Sequence, residues 1–271
     1  MKRVLLCVSY DGTGYSGWQL QDNAPTVEGE LNKALSDLHG EEIAVIGASR
    51  TDAGVHALCN MAVYDTSARM PAEKVSFALN TRLPEDIRVV WSREVPADFH
   101  PRHTDTIKTY EYTIYNEPVM PPTERLYAYH VERTLDVEAM SEAAEFLRGE
   151  HDFKSYASVY TTAETTVRTI TDIGVRREGP YVKIVVSGTG FLYNMVRIIA
   201  GTLTEIGLGR KEKDFTRAAL EARERRAAGP TAPARGLMLI KYEFLSYPEF
   251  NCTKIDRPKP QGEDMAEKEP L

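Results

Sequence analysis

The sequence predicts an α/β protein (α+β in the stricter sense) made of two similar halves, and three observations predict it. Apolar or alternating segments rich in Val, Ile and Tyr take turns with segments of helical periodicity along the chain. The same rhythm of strand, turn and helix returns after about residue 105, without a convincing internal sequence repeat. The 271 residues, 42% hydrophobic and 27% charged, suffice for two ordinary domains with a sizeable core. The expected organisation is a first half over 1–105, a second over 106–246, and a tail over 247–271. That tail is rich in Pro, Lys and Glu and is expected to be disordered.

In the first half, Val4 to Tyr10 reads as a buried strand, followed at once by Asp11-Gly12-Thr13-Gly14-Tyr15-Ser16-Gly17-Trp18-Gln19. Gly12, Gly14 and Gly17 satisfy the dinucleotide pattern G-x-G-x-x-G literally. The match is rejected, because those glycines must open a helix and Trp18 to Pro25 reads as loop. No nucleotide cofactor is expected. Thr26 caps the next helix, with Val27, Leu31, Ala34, Leu35 and Leu38 on one face. Ile43 and Val45 suggest a strand leading into residues 48–57, and Met61 to Tyr64 the returning one. A helix from Pro71 to Leu79 and a turn at 80–84 lead into a strand from Ile87 to Trp91. Phe99-His100-Pro101-Arg102 is an irregular, basic and aromatic connection.

In the second half, Ile107 to Tyr115 is the clearest strand, with Lys108, Tyr110, Tyr112 and Ile114 on one face. Leu126 to Val131 reads as a strand, and Asp136 caps a helix that Gly149 stops. Strands from Thr169 to Val175 and Tyr181 to Val186 follow, then a glycine turn at Gly188 and Gly190. The next helix carries the stripe Leu192, Met195, Val196, Ile199, Leu203 and Ile206. Arg197 lies off the stripe, among small and polar neighbours that leave room for a ligand. A helix from about Asp214 to Ala227 and a strand from Gly236 to Phe244 close the fold.

Composition limits function. No apolar run approaches the roughly 20 residues of a membrane helix. The basic start, Met1-Lys2-Arg3, precedes too short an apolar run for a signal peptide. A cytoplasmic protein without a membrane partner is expected. Three widely spaced cysteines, Cys7, Cys59 and Cys252, argue for reduced thiols and against a disulfide framework or a zinc site. The net charge of −7 disfavours nucleic acid unless cations cluster locally. One such cluster lies between Arg197 and Arg226, where eight basic residues face five acidic ones.

The chemistry concentrates in Ala48-Ser49-Arg50-Thr51-Asp52-Ala53-Gly54-Val55-His56-Ala57. In an extended segment Arg50 and Asp52 share a face roughly 6–7 Å apart, so the guanidinium would hold the aspartate ionised. An ionised, poorly hydrated carboxylate is a nucleophile or a base. Local chemistry alone favours a plainer reading, a surface turn with a weak ion pair.

Company changes that reading. The chain resembles the TruA family of tRNA pseudouridine synthases through an ordered series of motifs over about residues 1–245. These are Tyr10-Asp11-Gly12-Thr13 with Gly17-Trp18-Gln19, then Arg50-Thr51-Asp52-Ala53-Gly54-Val55-His56-Ala57, then Phe99-His100-Pro101-Arg102 with Lys108-Thr109-Tyr110-Glu111-Tyr112. His151-Asp152-Phe153, Gly190-Phe191-Leu192 with Met195-Val196-Arg197, and Gly236-Leu237-Met238-Leu239 complete it. The family commonly has Gly at Ser49 and Ala at Pro101.

The resemblance implies the pseudouridine synthase fold, with antiparallel sheets of the two halves meeting over a central cleft and helices on the outer faces. It implies isomerisation of uridine to pseudouridine in the anticodon arm of tRNA, at positions 38 to 40, by a homodimer. Asp52 falls on the catalytic aspartate, Tyr110 on the active-site tyrosine, and Arg197 on the arginine that pairs with the aspartate. Arg50 falls on the arginine that fills the gap left by the displaced base, an RNA-contacting role. Thr51, His56, Phe99, Arg102, Leu237 and Leu239 are the further substrate-binding candidates. The reaction breaks the bond from C1′ to N1 and joins C1′ to C5 without redox chemistry, so no metal or other cofactor is expected. A carboxylate could act at C1′, at C6, or on the C2′ proton. The competing reading is a tRNA-binding or RNA-folding protein without the chemistry, which would not need Arg50, Asp52, Tyr110 and Arg197 together.

Overall fold

Five successive apolar side chains, Val4 to Val8, are buried on both sides of β1 (Lys2–Tyr10), as a central strand requires. In the computed structural model, which describes residues 1–252, β1 runs antiparallel to both β3 (His56–Thr66) and β4 (Ile87–Val95). Between them lie α1 (Val27–His39), β2 (Ile46–Gly47) and α2 (Ala72–Asn80). The Thr26 hydroxyl accepts the Gly29 N–H to open α1, and Gly40 closes it in the left-handed region at φ 68°. The strand expected at Ile43 and Val45 starts only at Ile46. Side chains of α1 intercept the backbone first, Ser36 Oγ accepting the Ile43 N–H and Asn32 Oδ1 the Val45 N–H.

The second half contributes β5 (Thr106–Tyr115), β6 (Tyr129–His130), α3 (Val137–Glu145), β7 (Gly149–Asp152), β8 (Val167–Glu178) and β9 (Tyr181–Gly188). It ends with α4 (Met195–Gly207), α5 (Phe215–Ala222) and β10 (Leu237–Phe244). The strand expected over 126–131 shrinks to β6, because the Tyr127 and Ala128 N–H groups turn back to the Glu124 carbonyl. The helix expected to reach Ala227 stops at Ala222. Arg223 adopts φ 49°, and the chain resumes as a 3-10 turn over Arg225–Ala227.

Among the described residues all ten strands join one sheet, mostly antiparallel, in the order β4-β1-β3-β10-β5-β9-β8-β7, with β2 on β3 and β6 on β5. The seam is β10. β10 pairs antiparallel with β5 and parallel with β3, through Met238 with His56 and Leu239 with Ala57. On β9, Val182, Ile184 and Val186 alternate inward, while α3 packs against the neighbouring β8 and α4 against β5. The opposite face of the second half is charged, with Glu111 between Arg176 and Lys183.

The expectation of disorder from Tyr247 onward is corrected for its first residues. Pro248–Phe250 forms a 3-10 turn, Phe250 is buried near Phe99, and Cys252 exchanges backbone hydrogen bonds with Tyr242 at 2.9 Å. The aromatic area of Tyr247 and Phe250, which finds a place on Phe99, outweighs the polar composition around it. The rest of that tail, 253–271, lies outside the described residues. Cys252 also brings the three thiols together: its Sγ is 3.2 Å from that of Cys7, and its carbonyl accepts from Cys59 at 3.6 Å. Among the described residues no helix is long and apolar enough to cross a membrane.

Candidate active site

Residues 48–55, between β2 and β3, form a loop rather than a strand, and buried hydrogen bonds fix its shape. Asn60 on β3 accepts the Ser49 N–H and donates to the Ser49 carbonyl at 2.9 Å. The Tyr10 and Thr51 hydroxyls meet at 2.7 Å, and Asn60 also donates to Tyr10. The Val55 N–H closes a turn onto the Asp52 carbonyl.

The glycine-rich segment supports this loop from outside. Trp18 N–H donates to the Thr51 carbonyl and Gly54 N–H to that of Tyr15. The approach is so close that a Cβ on Gly12 would sit 2.0 Å from the Val55 carbonyl oxygen. Gly17, at φ 92°, would bring a Cβ 2.6 Å from that of Thr51. Two glycines of the apparent dinucleotide pattern, Gly12 and Gly17, thus seat a backbone.

Asp52 projects from the loop with its side chain 14% exposed, and Arg197 Nη1 of α4 donates to its Oδ2 at 3.3 Å. Arg197 is itself aimed: Nε donates to the Ala232 carbonyl and Nη1 to Asn194 Oδ1, each at 2.8 Å. Burial lifts the Asp52 carboxyl above the usual carboxylate range, and the Arg197 charge draws it partly back. The expected sharing of a face by Arg50 and Asp52 does not occur, because the segment turns instead of extending. Among the described residues the exposed Arg50 side chain makes no hydrogen bond or ion pair.

These residues line a cleft of about 900 Å³ between the loop, β5 and the start of α4. Tyr110 stands in it, 8% exposed, edge-on to Phe191 with ring centroids 5.2 Å apart. Burial, with Tyr10 and Asp52 adding to it, pushes the Tyr110 phenol far above its ordinary range, so it stays protonated. Asp52 is the one carboxylate among the described lining residues, against the cations Arg50, Arg102, Lys108 and Arg168. The cleft is basic although the chain is acidic.

Of the sequence candidates, Asp52, Tyr110, Arg50, Thr51, Arg102 and Leu237 line the cleft, and Arg197 reaches it through Asp52. His56, Phe99 and Leu239 do not. His56 is 2% exposed; its Nε2 donates to the Leu126 carbonyl and its Nδ1 lies 3.1 Å from both the Gly12 N–H and Asp11, so both ring nitrogens serve the scaffold. Phe99 packs in an aromatic cluster with Phe244, Tyr247 and Phe250. Leu239 is fully buried at the seam of the sheet.

Beyond Arg197, no cation of the basic run up to Arg226 is among the described residues that line the cleft. Arg210, Lys213, Arg223 and Arg226 are paired with Glu205, Glu142, Asp152 and Glu224. Lys108, Arg168, Phe191 and the exposed Tyr160 and Tyr193 were missed as cleft residues. Lys108 was within reach, since it shares the strand face of Tyr110. Arg168 carries no local signal and arrives only through the pairing of β8.

A family profile described as "tRNA pseudouridine synthase" matches residues 6–103 and 143–244. The tRNA pseudouridine synthase A of Acetivibrio thermocellus is 47% identical over 244 residues, covering 90% of this chain and all of that protein. The tRNA pseudouridine synthase A 2 of Clostridium tetani is 48% identical over 240 residues, 88% of this chain and 97% of the relative. That of Brevibacillus brevis, a tRNA pseudouridine synthase A, is 46% identical over 239 residues, 88% and 98% of the two chains.

Proposed function

The chain belongs to the TruA family of tRNA pseudouridine synthases, isomerases of uridine in tRNA, and from that premise we propose that it acts on the anticodon arm with Asp52 as its reacting group. One observation carries the role of Asp52: it is the single carboxylate among the described residues of a basic, aromatic cleft, held by an arginine from the other half of the chain. A two-carboxylate acid–base mechanism has no second partner in that lining. The uridine must leave its stack to reach Asp52, at roughly a few kcal/mol, and the free, exposed Arg50 is suited to fill the gap. Tyr110, a phenol throughout the neutral range, packs against the base and offers a hydroxyl rather than a phenolate.

In the reaction the bond from C1′ to N1 breaks, the base turns, C1′ bonds to C5, the C5 proton is lost to solvent and N1 takes up a proton in its place. Positions 38 to 40, a homodimeric assembly and a cytoplasmic setting follow the motif resemblance. The test is incubation with tRNA carrying uracil tritiated at C5: release of label is expected, and its absence from every suitable tRNA would overturn the enzyme reading. A protein that binds tRNA tightly without release would favour the non-catalytic alternative.

A further inference from the structure

The cleft holds a second charged group of residues that chemistry at Asp52 leaves unused. Lys108 stands two residues before Tyr110 on the same face of β5, roughly 6–7 Å along the strand. It is half-buried and meets no carboxylate among the described residues; its Nζ lies over the Tyr242 ring, 5.4 Å from the centroid. Arg102 and Arg168 line the same cleft. Arg102 Nε donates to the Gly47 carbonyl at 2.6 Å, and Arg168 Nη1 to the Thr165 and Val167 carbonyls. Among the described residues none of the three cations has an ion-pair partner.

Like charges gathered without a counter-ion destabilise the free protein, and an anion that enters among them removes the repulsion. A phosphodiester suits the donors, with guanidinium forks for its two free oxygens and an ammonium as a point charge. We infer that Lys108, Arg102 and Arg168 bind a backbone phosphate of the RNA, one nucleotide step from the uridine held at Asp52 and Tyr110. The inference rests on the proposed function.

It predicts a pH dependence. Burial, and then Arg102 and Arg168, lower the Lys108 ammonium to about 8. The groups around it are Arg102 from the turn, Arg168 from β8, Tyr242 from β10, Tyr110 on its own strand, and Arg50 and Asp52 from the catalytic loop, while β9 presents Gly188. Burial keeps both tyrosines neutral, and the Arg197 charge opposes the upward pull of burial on Asp52. Lys108 is the group among these whose value is brought between pH 7 and 9. The protonated form binds phosphate, so affinity is flat below pH 7 and falls as pH rises through the Lys108 value.

The experiment measures tRNA binding by wild type, Lys108→Arg and Lys108→Gln across pH and salt, with folding checked by circular dichroism. Wild-type affinity is expected to drop about tenfold between pH 7 and 9 by proton linkage. Lys108→Arg keeps the pH 7 affinity and loses that drop. Lys108→Gln binds about tenfold more weakly at pH 7, with a slope of log affinity on log salt shallower by about 0.7–0.9. The His100–His103 pair beside Arg102 is common to all three proteins and cancels in the comparison. A pH drop that survives in Lys108→Arg, or wild-type affinity and salt slope in folded Lys108→Gln, would overturn the phosphate site. Tritium release by wild type separates the two readings: release alongside unchanged Lys108→Gln binding removes the phosphate site alone, whereas no release removes the function.

Discussion

Asp52 is held in the cleft at a cost to folding. Its carboxyl has a higher pKa in the folded chain than when unfolded, so the folded state holds the proton more tightly. The resulting stabilisation is complete below the ordinary aspartate value and is lost as pH rises through the raised one. Asp52→Asn cannot ionise, so it should melt above wild type at pH 7, with the difference shrinking towards pH 3. Thermal melts across pH check this, and equal melting temperatures at pH 7 would contradict it. The same variant should lose tritium release by about a thousandfold or more. At Arg197, removal of the charge leaves burial unopposed: in Arg197→Met the acid limb of activity should move to higher pH and the rate should fall about a hundredfold. Arg197→Lys should hold the limb near its wild-type position. A limb that stays in place in Arg197→Met would mean that another group sets the ionisation of Asp52.

Among the elements, the glycine segment after β1 separates a scaffold from a cofactor site. Gly12→Ala drives a Cβ into the Val55 carbonyl, whereas nothing lies within 4 Å of a Cβ on Gly14. Gly12→Ala should therefore destabilise by about 3 kcal/mol or more and Gly14→Ala by no more than about 0.5 kcal/mol, as urea unfolding would show. Equal effects would mean that the loop does not press on Gly12. The strand and helix order of this region was legible because burial on both faces of β1 and a capped amphipathic α1 leave local marks. Its boundaries were less so. Ile43 and Val45 look like strand residues, but helix side chains reach their backbones, and that competition has no trace in periodicity. The site followed the same division. Motifs point to Asp52, Tyr110 and Arg197, which the fold brings together at one cleft, whereas Arg168 enters by strand pairing and the ring nitrogens of His56 are used by the scaffold. Such facts depend on contacts distant in sequence.

At the scale of the molecule, the two halves share one sheet through β10, and the site takes its acid from one half and its arginine from the other. Further ties cross the join: Tyr127 donates to Asp11 at 2.6 Å, and His56 to the Leu126 carbonyl at 3.0 Å. Unfolding should be a single transition. Both tryptophans, Trp18 and Trp91, lie in the first half, so fluorescence reports that half and far-ultraviolet circular dichroism reports both. Coincident urea curves are expected, and a resolved second step in the dichroism would show the halves to be independent. Distance along the chain also disappears at the three thiols, where Cys7 and Cys59 of the central strands lie under the segment that carries Cys252. All three are buried, so an alkylating reagent reaches them only when that segment lifts or the sheet opens. Labelling rates at these sulfurs thus make a clock for the undocking of the Pro248–Phe250 turn, built from native residues up to 245 positions apart in the sequence.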